Sequence, residues 1–384
     1  MDQTLPKPLK TKYPLHSLRK LKQLSGKGHL LRLGLTLLCI GSLSSCSPET
    51  EQTSTLGSTS QTAHPAAGQP EQVFKEWKQH IWEETSQAAI QKDGCWPAHF
   101  AAQGPSKGIV VLIHGFTACP QQFFDVAPMI AAKGYDVFLP LMPGQGRVTP
   151  PGAKEDFNLP KGDTQLFRYH QFVKRINYLA SESQGTRVIG GLSGGAALAA
   201  GAAIEAKHLW NRALIMAPLF KFSGSKGTIS AVADVFHPSL TIHYGAECSE
   251  GQKKPGGRRG LCEVTVASMR TMLGYGLLYR NRMQEFPHQI QFVGAEEDPT
   301  VDNETIYQSF LAHQKTKGKS RFCLYRKGVP HSMMSRKENL TTGHWWMNSL
   351  EQDLTRFVTE GVWFPIDASA QSSELGAERC LVDD

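Results

Sequence analysis

The chain has 384 residues, 40% of them hydrophobic and 20% charged, with 41 Lys and Arg against 34 Asp and Glu for a formal net charge of +7. Eight of those bases and one acid lie in residues 1–45, leaving 33 bases and 33 acids from residue 46 onward. The remainder is neutral, which argues against a nucleic-acid-binding domain, and its length and apolar content fit a globular chain: two domains, or one large α/β domain carrying an insertion.

Residues 1–32 are basic and turn-rich, and Leu33 to Leu43 form an uncharged apolar run ending at Leu43-Ser44-Ser45-Cys46. A positive start, a short apolar stretch and a small-residue cut site read as a secretory signal over residues 1–45. The run is too short to span a bilayer, which takes roughly 20 apolar residues. The tetrapeptide resembles the lipobox of bacterial lipoproteins. That resemblance implies cleavage before Cys46, lipidation of Cys46, and an exported protein held to a membrane of the bacterial cell envelope through that anchor. An ordinary signal peptide and an uncleaved interfacial anchor are the alternatives. The stretch that follows, to residue 70, is rich in Ser, Thr, Gln, Pro and Gly and cannot bury enough apolar surface to fold. As a flexible tether it would span about 27 Å, enough to hold a domain just off a membrane.

From Glu71 to Gln91 the apolar residues Val73, Phe74, Trp77, Ile81, Trp82 and Ala89 recur at helical steps and predict an amphipathic helix. Six short β-branched or apolar runs follow: Gly108–Ile113, Tyr135–Leu139, Arg187–Gly190, Ala213–Met216, Gln289–Val293 and Arg321–Tyr325. Helical patterns separate them, among them Leu166, Tyr169, Val173, Ile176 and Leu179. The alternation predicts an α/β fold with a mostly parallel central sheet and helices on both faces, its functional groups at the carboxyl ends of the strands. The rhythm breaks once, over about 219–287, where a Gly/Lys/Arg loop precedes a helical stretch bearing Met269, Met272, Leu273, Leu277 and Leu278. A connection of that length predicts a cap over the site.

Gly191-Leu192-Ser193-Gly194-Gly195 fits G-x-S-x-G. The pattern gains weight from its setting, because it follows a strand candidate and opens an Ala-rich helical run. Such a sharp turn lifts a serine hydroxyl above the sheet edge. The plainer alternative is a glycine-rich helix start with Ser193 as its cap. Upstream, the strand Gly108–Ile113 runs into His114-Gly115-Phe116-Thr117. With these two segments in place, residues 95–360 resemble the α/β-hydrolase superfamily, and residues 71–365 read as one hydrolase domain, leaving 366–384 as a C-terminal tail. The resemblance implies that the backbone N–H groups of Phe116 and Gly194 form an oxyanion hole. His114 sits before the serine, against the order of this fold, and is expected to organise the oxyanion loop rather than act as the base.

A serine hydroxyl becomes a useful nucleophile when an imidazole takes its proton and a carboxylate orients that imidazole. In this fold the order is Ser, acid, His. The strand Gln289–Val293 leads into Gly294-Ala295-Glu296-Glu297-Asp298-Pro299-Thr300-Val301, which is similar to the family's acid turn and makes Asp298 the expected acid, ahead of Glu296, Glu297 and Asp302. The last strand candidate leads to His331, placed like the family's catalytic histidine. His344, among Trp345 and Trp346 in a C-terminal helical pattern, reads as a packing residue; His313 falls on a helix face, and His288 precedes a strand. No histidine or carboxylate pair has metal-ligand spacing such as H-E-x-x-H, and no G-x-G-x-x-G follows a first strand, so neither metal nor cofactor is expected.

Six cysteines remain beyond Cys39 and Cys46, which permits three disulfides in any of fifteen connectivities. Cys248 and Cys262 bracket a short loop and are the first expected pair; Cys95 with Cys119 would brace the oxyanion loop, and Cys323 with Cys380 is then left. Buried free thiols are the alternative. Taken together, the resemblance implies a serine hydrolase that cleaves carboxylic esters, with a small-molecule ester or lipid-like substrate, through a Ser193–Asp298–His331 triad and an acyl-enzyme. A peptidase or amidase of the same fold and a non-catalytic binding lipoprotein are the rival readings. Nothing in the sequence names a protein partner.

Overall fold

A computed structural model of the chain describes residues 70–76, 95–224, 238–243, 260–316, 318–326, 328–334, 343–370, 372–373 and 375–382. The expected signal, Cys46 and the tether lie outside the described residues, as does most of the helix expected over Glu71–Gln91. Its described part, 70–76, is helical and buries Val73 and Phe74.

The strands are β1 (Ala98–Phe100), β2 (Gly108–Ile113), β3 (Asp136–Leu139), β4 (Thr186–Leu192), β5 (Arg212–Met216), β6 (Thr241–His243), β7 (Glu263–Thr265), β8 (Gln289–Ala295), β9 (Ser320–Tyr325) and β10 (Glu378–Arg379). The α-helices are α1 (Ala127–Ala132), α2 (Phe167–Ser181), α3 (Gly194–Glu205), α4 (Val266–Arg280), α5 (Asn303–Gln314) and α6 (Met347–Glu360). Eight strands form one sheet in the order β1-β3-β2-β4-β5-β8-β9-β10, parallel except for β1, with helices around it. All six β2 residues are buried, as a strand covered on both faces requires, which is why it reads as an unbroken apolar run.

Each of the six expected strands is present: β4, β5, β8 and β9 run one to three residues longer than their apolar runs, β2 matches its run, and β3 begins one residue later. Two sheet strands escape that reading. β1 has three residues and pairs antiparallel with β3, and β10 comes from the tail to pair with β9. Helix α3 is unusual in burying eleven of its twelve residues, which suits its Ala- and Gly-rich sequence: it packs against β4 and β5 below and α2 and α4 above. Gly201 permits a close approach to α4, since a Cβ there would lie 2.2 Å from the Tyr275 hydroxyl. Helix α6 carries the period Met347, Leu350, Leu354, Phe357 and ends at Gly361, whose φ of 74° stops it in the left-handed region.

Between β5 and β8 the described chain contains the antiparallel pair β6–β7 and then α4. His344 differs from expectation: it precedes α6 with φ 54° instead of lying within a helix, because α6 does not begin until Met347. Among the described residues no helix is long and apolar enough to cross a membrane.

Candidate active site

Ser193 stands at the junction of β4 and α3 with φ 59° and ψ −119°. A side chain rarely adopts that backbone, and holding it costs on the order of 1–3 kcal/mol, which the surroundings must supply. They do so through three backbone hydrogen bonds: Ser193 N–H donates to Met216 O at 2.9 Å, and Ser193 O accepts from Ala197 N at 3.1 Å and Leu219 N at 3.0 Å. The turn also needs glycine at 195, where a Cβ would lie 2.0 Å from Ile113 O and 2.3 Å from His114 O. The result is a serine only 7% exposed, facing a cavity of about 250 Å³.

Gly194 is the first residue of α3, so its N–H has no acceptor within the helix. A Cβ on Gly194 would come within 2.9 Å of the Phe116 Cβ, which puts the two expected oxyanion residues side by side. The Gly115–Phe116 peptide is oriented through its carbonyl: Gly115 O accepts from His114 Nδ1 at 2.9 Å and from Ala118 N at 2.9 Å. In a trans peptide the N–H points opposite to the C=O, so these bonds aim the Phe116 N–H away from them. Gln122 Oε1 accepts the Gly115 N–H at 2.8 Å, and Gln145 Nε2 donates to Phe116 O. His114 therefore organises this loop. Its Nε2 accepts from Met142 N at 3.1 Å, which assigns the proton to Nδ1. Burial lowers its pKa from 6.5 to about 4, against the opposing effect of the Gly115 bond.

That shift carries an expected stability profile. Below pH 6.5 the unfolded chain takes up a proton that folded His114 refuses until about pH 4. Stability should fall across that interval by about 3 kcal/mol. His313, also lowered by burial, adds in the same direction. The depressed carboxyls of Asp298 and Asp156 act in a separate window, their contribution being lost only as pH falls below 3.8. Guanidinium midpoints measured between pH 7 and 4.5 check this, and a flat profile would contradict it.

Asp298 lies in the turn after β8 with its side chain fully enclosed. Oδ1 accepts from Thr300 N at 2.7 Å and Val301 N at 3.0 Å, and Oδ2 faces His331 Nδ1 at 2.7 Å. Burial alone would raise its pKa, but the attraction of His331 and these hydrogen bonds outweigh burial and hold the carboxyl below its ordinary value. The turn is also pinned from the start of the insertion. Phe222 bridges Val301 in antiparallel fashion, Ser223 N donates to Thr300 O at 3.0 Å, and Asp302 N donates to Lys221 O at 3.0 Å. His331, in the loop after β9, keeps 19% of its side chain exposed and lines the cavity with Ser193. With Nδ1 donating to Asp298, its Nε2 is left as an acceptor.

Ser193, Phe116 and His331 thus line one cavity, Gly194 lies against Phe116, and Asp298 faces His331 Nδ1. The rival acids have other partners: Glu296 pairs with Arg379 at 2.8 Å, and Asp302 caps α5 and meets Lys221 at 3.1 Å. His313 is buried in α5 with Nε2 2.8 Å from Phe286 O, and His288 precedes β8. Gln122 and Gln145 escape the sequence reading, since no spacing rule links Gln145 to a carbonyl 29 residues away. Disulfides join Cys95 to Cys119 and Cys323 to Cys380; Cys262 is also disulfide-bonded, while Cys248 lies outside the described residues. Among the described residues no group of three or more His, Cys, Asp or Glu is placed to hold a metal ion.

A mostly parallel sheet with a serine at a strained strand-to-helix turn, below an oxyanion-type loop, defines an α/β-hydrolase of the serine hydrolase class. The chain belongs to the family described as serine aminopeptidase, S33, which matches residues 104–338. No curated protein sequence matches it. Among solved structures it is similar to the monoglyceride lipase of Saccharomyces cerevisiae, in a soluble variant with a substrate analogue (TM-score 0.53, 16% identity, 71% of this chain and 96% of that one). It is also similar to the monoacylglycerol lipase of Paleococcus ferrophilus (0.52, 13%, 70% and 99%) and to a structure of the metagenome-derived lipolytic enzymes LipS and LipT (0.51, 18%, 70% and 99%). At these identities the likeness is one of fold.

Proposed function

We propose that this protein hydrolyses carboxylic esters of uncharged, apolar acyl groups through an acyl-enzyme. The observation that carries this reading is the cavity lining. Around Ser193 and His331 stand Phe116, Leu192, Leu219, Phe222, Met269 and Pro330, and among the described lining residues there is no Asp, Glu, Lys or Arg. An aminopeptidase has to receive a free α-ammonium group, which a carboxylate in the cavity would ordinarily hold. The described lining offers none, so an ester fits it better than the amide substrate the family's description names. The lipolytic structures of similar fold support the same choice.

In this reading Ser193 Oγ attacks the ester carbonyl carbon while His331 Nε2 takes its proton. Asp298 holds the Nδ1 tautomer and stabilises the imidazolium that forms. The N–H groups of Phe116 and Gly194 receive the oxyanion, each contributing roughly 3 kcal/mol in the transition state. Imidazolium then protonates the departing alcohol, and water, deprotonated by the same imidazole, releases the acid and restores Ser193.

The test is a comparison of nitrophenyl esters of graded acyl length with aminoacyl nitroanilides on the purified protein. Faster ester turnover is expected; faster anilide turnover would overturn the choice. We infer further that Cys46 anchors the enzyme to a bacterial envelope membrane, the polar stretch after it serving as tether. Fatty-acid label incorporated by the wild type and not by Cys46→Ala is the expected result, and equal labelling would refute it.

A further inference from the structure

Between β3 and α2 three consecutive side chains reach out to the segment that follows β5. Lys154 Nζ donates to Ser239 O at 2.5 Å and Thr241 Oγ1 at 3.0 Å. Glu155 Oε2 accepts the backbone N–H groups of Cys262 at 2.5 Å and Glu263 at 2.9 Å. Asp156 Oδ2 accepts three bonds, from Thr265 N at 2.7 Å, Thr265 Oγ1 at 2.6 Å and Ser268 Oγ at 2.6 Å, while Lys161 Nζ meets Oδ1 at 3.0 Å. These are the residues that start α4, for Thr265 is its N-cap.

Asp156 is 1% exposed. Burying a carboxylate is costly unless donors surround it, and here four do. Burial alone would raise its pKa; the Ser268, Thr265 and Lys161 bonds outweigh that and hold the carboxyl below its ordinary value. Its charge at the helix start also complements the positive end of α4. A buried charge used in this way fixes α4 along its axis more firmly than apolar packing alone, because hydrogen bonds are lost within a few tenths of an ångström.

What α4 carries just beyond this grip is the wall of the cavity. Met269 follows Ser268 directly and lines the space above Ser193. Met272, one turn on, lies against Gly194, its sulfur 3.0 Å from where a Cβ on that residue would stand. A shift of α4 by one residue's rise would move both by about 1.5 Å.

We propose that Asp156 is a positioning residue for acyl-chain selection: by fixing the start of α4 it holds Met269 as the wall that limits acyl length. The inference rests on the ester reading above. Losing the Asp156 grip loosens the start of α4, withdraws Met269 and lengthens the space an acyl chain can enter, while Ser193, Asp298 and His331, which α4 does not carry, stay in place.

The experiment measures kcat and KM for nitrophenyl acetate, butyrate and octanoate with the full-length wild type, Asp156→Asn, Met269→Ala and the double variant. For Asp156→Asn, acetate kcat/KM is expected to stay within about threefold while the octanoate-to-acetate ratio rises by about tenfold. Met269→Ala should shift the ratio the same way, and the double variant should add little to either, since both act through one side chain. Parallel loss on all three esters, or fully additive shifts, would overturn the proposal. If Asp156→Asn does not fold, Ser268→Ala and Thr265→Val, each removing one donor, decide by the same ratio, and an unchanged ratio overturns it. Wild-type protein with no ester turnover would instead sink the ester reading, and this proposal with it.

Discussion

Ser193→Ala is expected to lower kcat on a nitrophenyl ester by at least about 10⁴-fold, with KM little changed. The residual rate would come from binding and from the oxyanion donors, which the substitution leaves in place. A fluorophosphonate probe that labels the wild type should leave the Ala variant unlabelled. Stability should hardly move, because alanine keeps a Cβ at φ 59° and so bears the same backbone cost. Ser193→Gly makes the contrast: without a Cβ it should be as inactive as the Ala variant yet more stable by about 1 kcal/mol, the strain having been relieved. Thermal unfolding of the three proteins with parallel activity assays checks both halves. Probe labelling of the Ala variant, or activity within a hundredfold of wild type, would show that another residue is the nucleophile.

Asp298→Asn should cost nearly as much in kcat, about 10⁴-fold, for a different reason. Oδ1 of an asparagine can still accept the Thr300 and Val301 amides, so the turn is expected to survive. Its NH₂ then faces His331 Nδ1, a position where the carboxylate accepted the Nδ1–H hydrogen bond across 2.7 Å. The imidazole must put its hydrogen on Nε2, which can no longer take the serine proton. Asp302→Asn, at a residue that caps α5, should by comparison leave kcat within about threefold. Equal losses in the two variants would mean that the whole turn had been disturbed and would remove the case for Asp298.

Much of this arrangement is legible in the sequence because it depends on neighbours in the chain. A strand buried on both faces is a run such as Gly108–Ile113, and a strand-turn-helix with glycines beside Ser193 is a local requirement of the turn. The expectation for Asp298 and His331 has a different source, the resemblance of the turns that hold them to the family's acid turn and histidine loop. What cannot be read depends on distant contacts. β1 and β10 are too short to show a period and are strands only because β3 and β9 offer them edges. Gln122 and Gln145 look like loop polarity until Gly115 and Phe116 are seen beside them. Asp156 looks like a solvated loop charge, and its partner Ser268 is 112 residues further on. His344 shows the reverse error, since its place just ahead of the Met347, Leu350, Leu354, Phe357 pattern suggests a helix that begins only at Met347.

The pairing of Phe222 with Val301 bears on how such an enzyme could be re-tooled. The proposed reacting groups lie at the ends of β2, β4, β8 and β9, while Met269 comes from the segment between β5 and β8, so that segment is the natural piece to exchange for one from another hydrolase. The seam cannot be cut at Leu219, where the sheet rhythm ends. Lys221, Phe222 and Ser223 belong functionally to the Asp298 turn, since they hold Thr300, Val301 and Asp302 by backbone bonds. A graft starting at residue 219 would bring a foreign segment and lose the bonds that support the Asp298 turn; one starting after Gly224 would keep that turn and still exchange the wall that Met269 supplies.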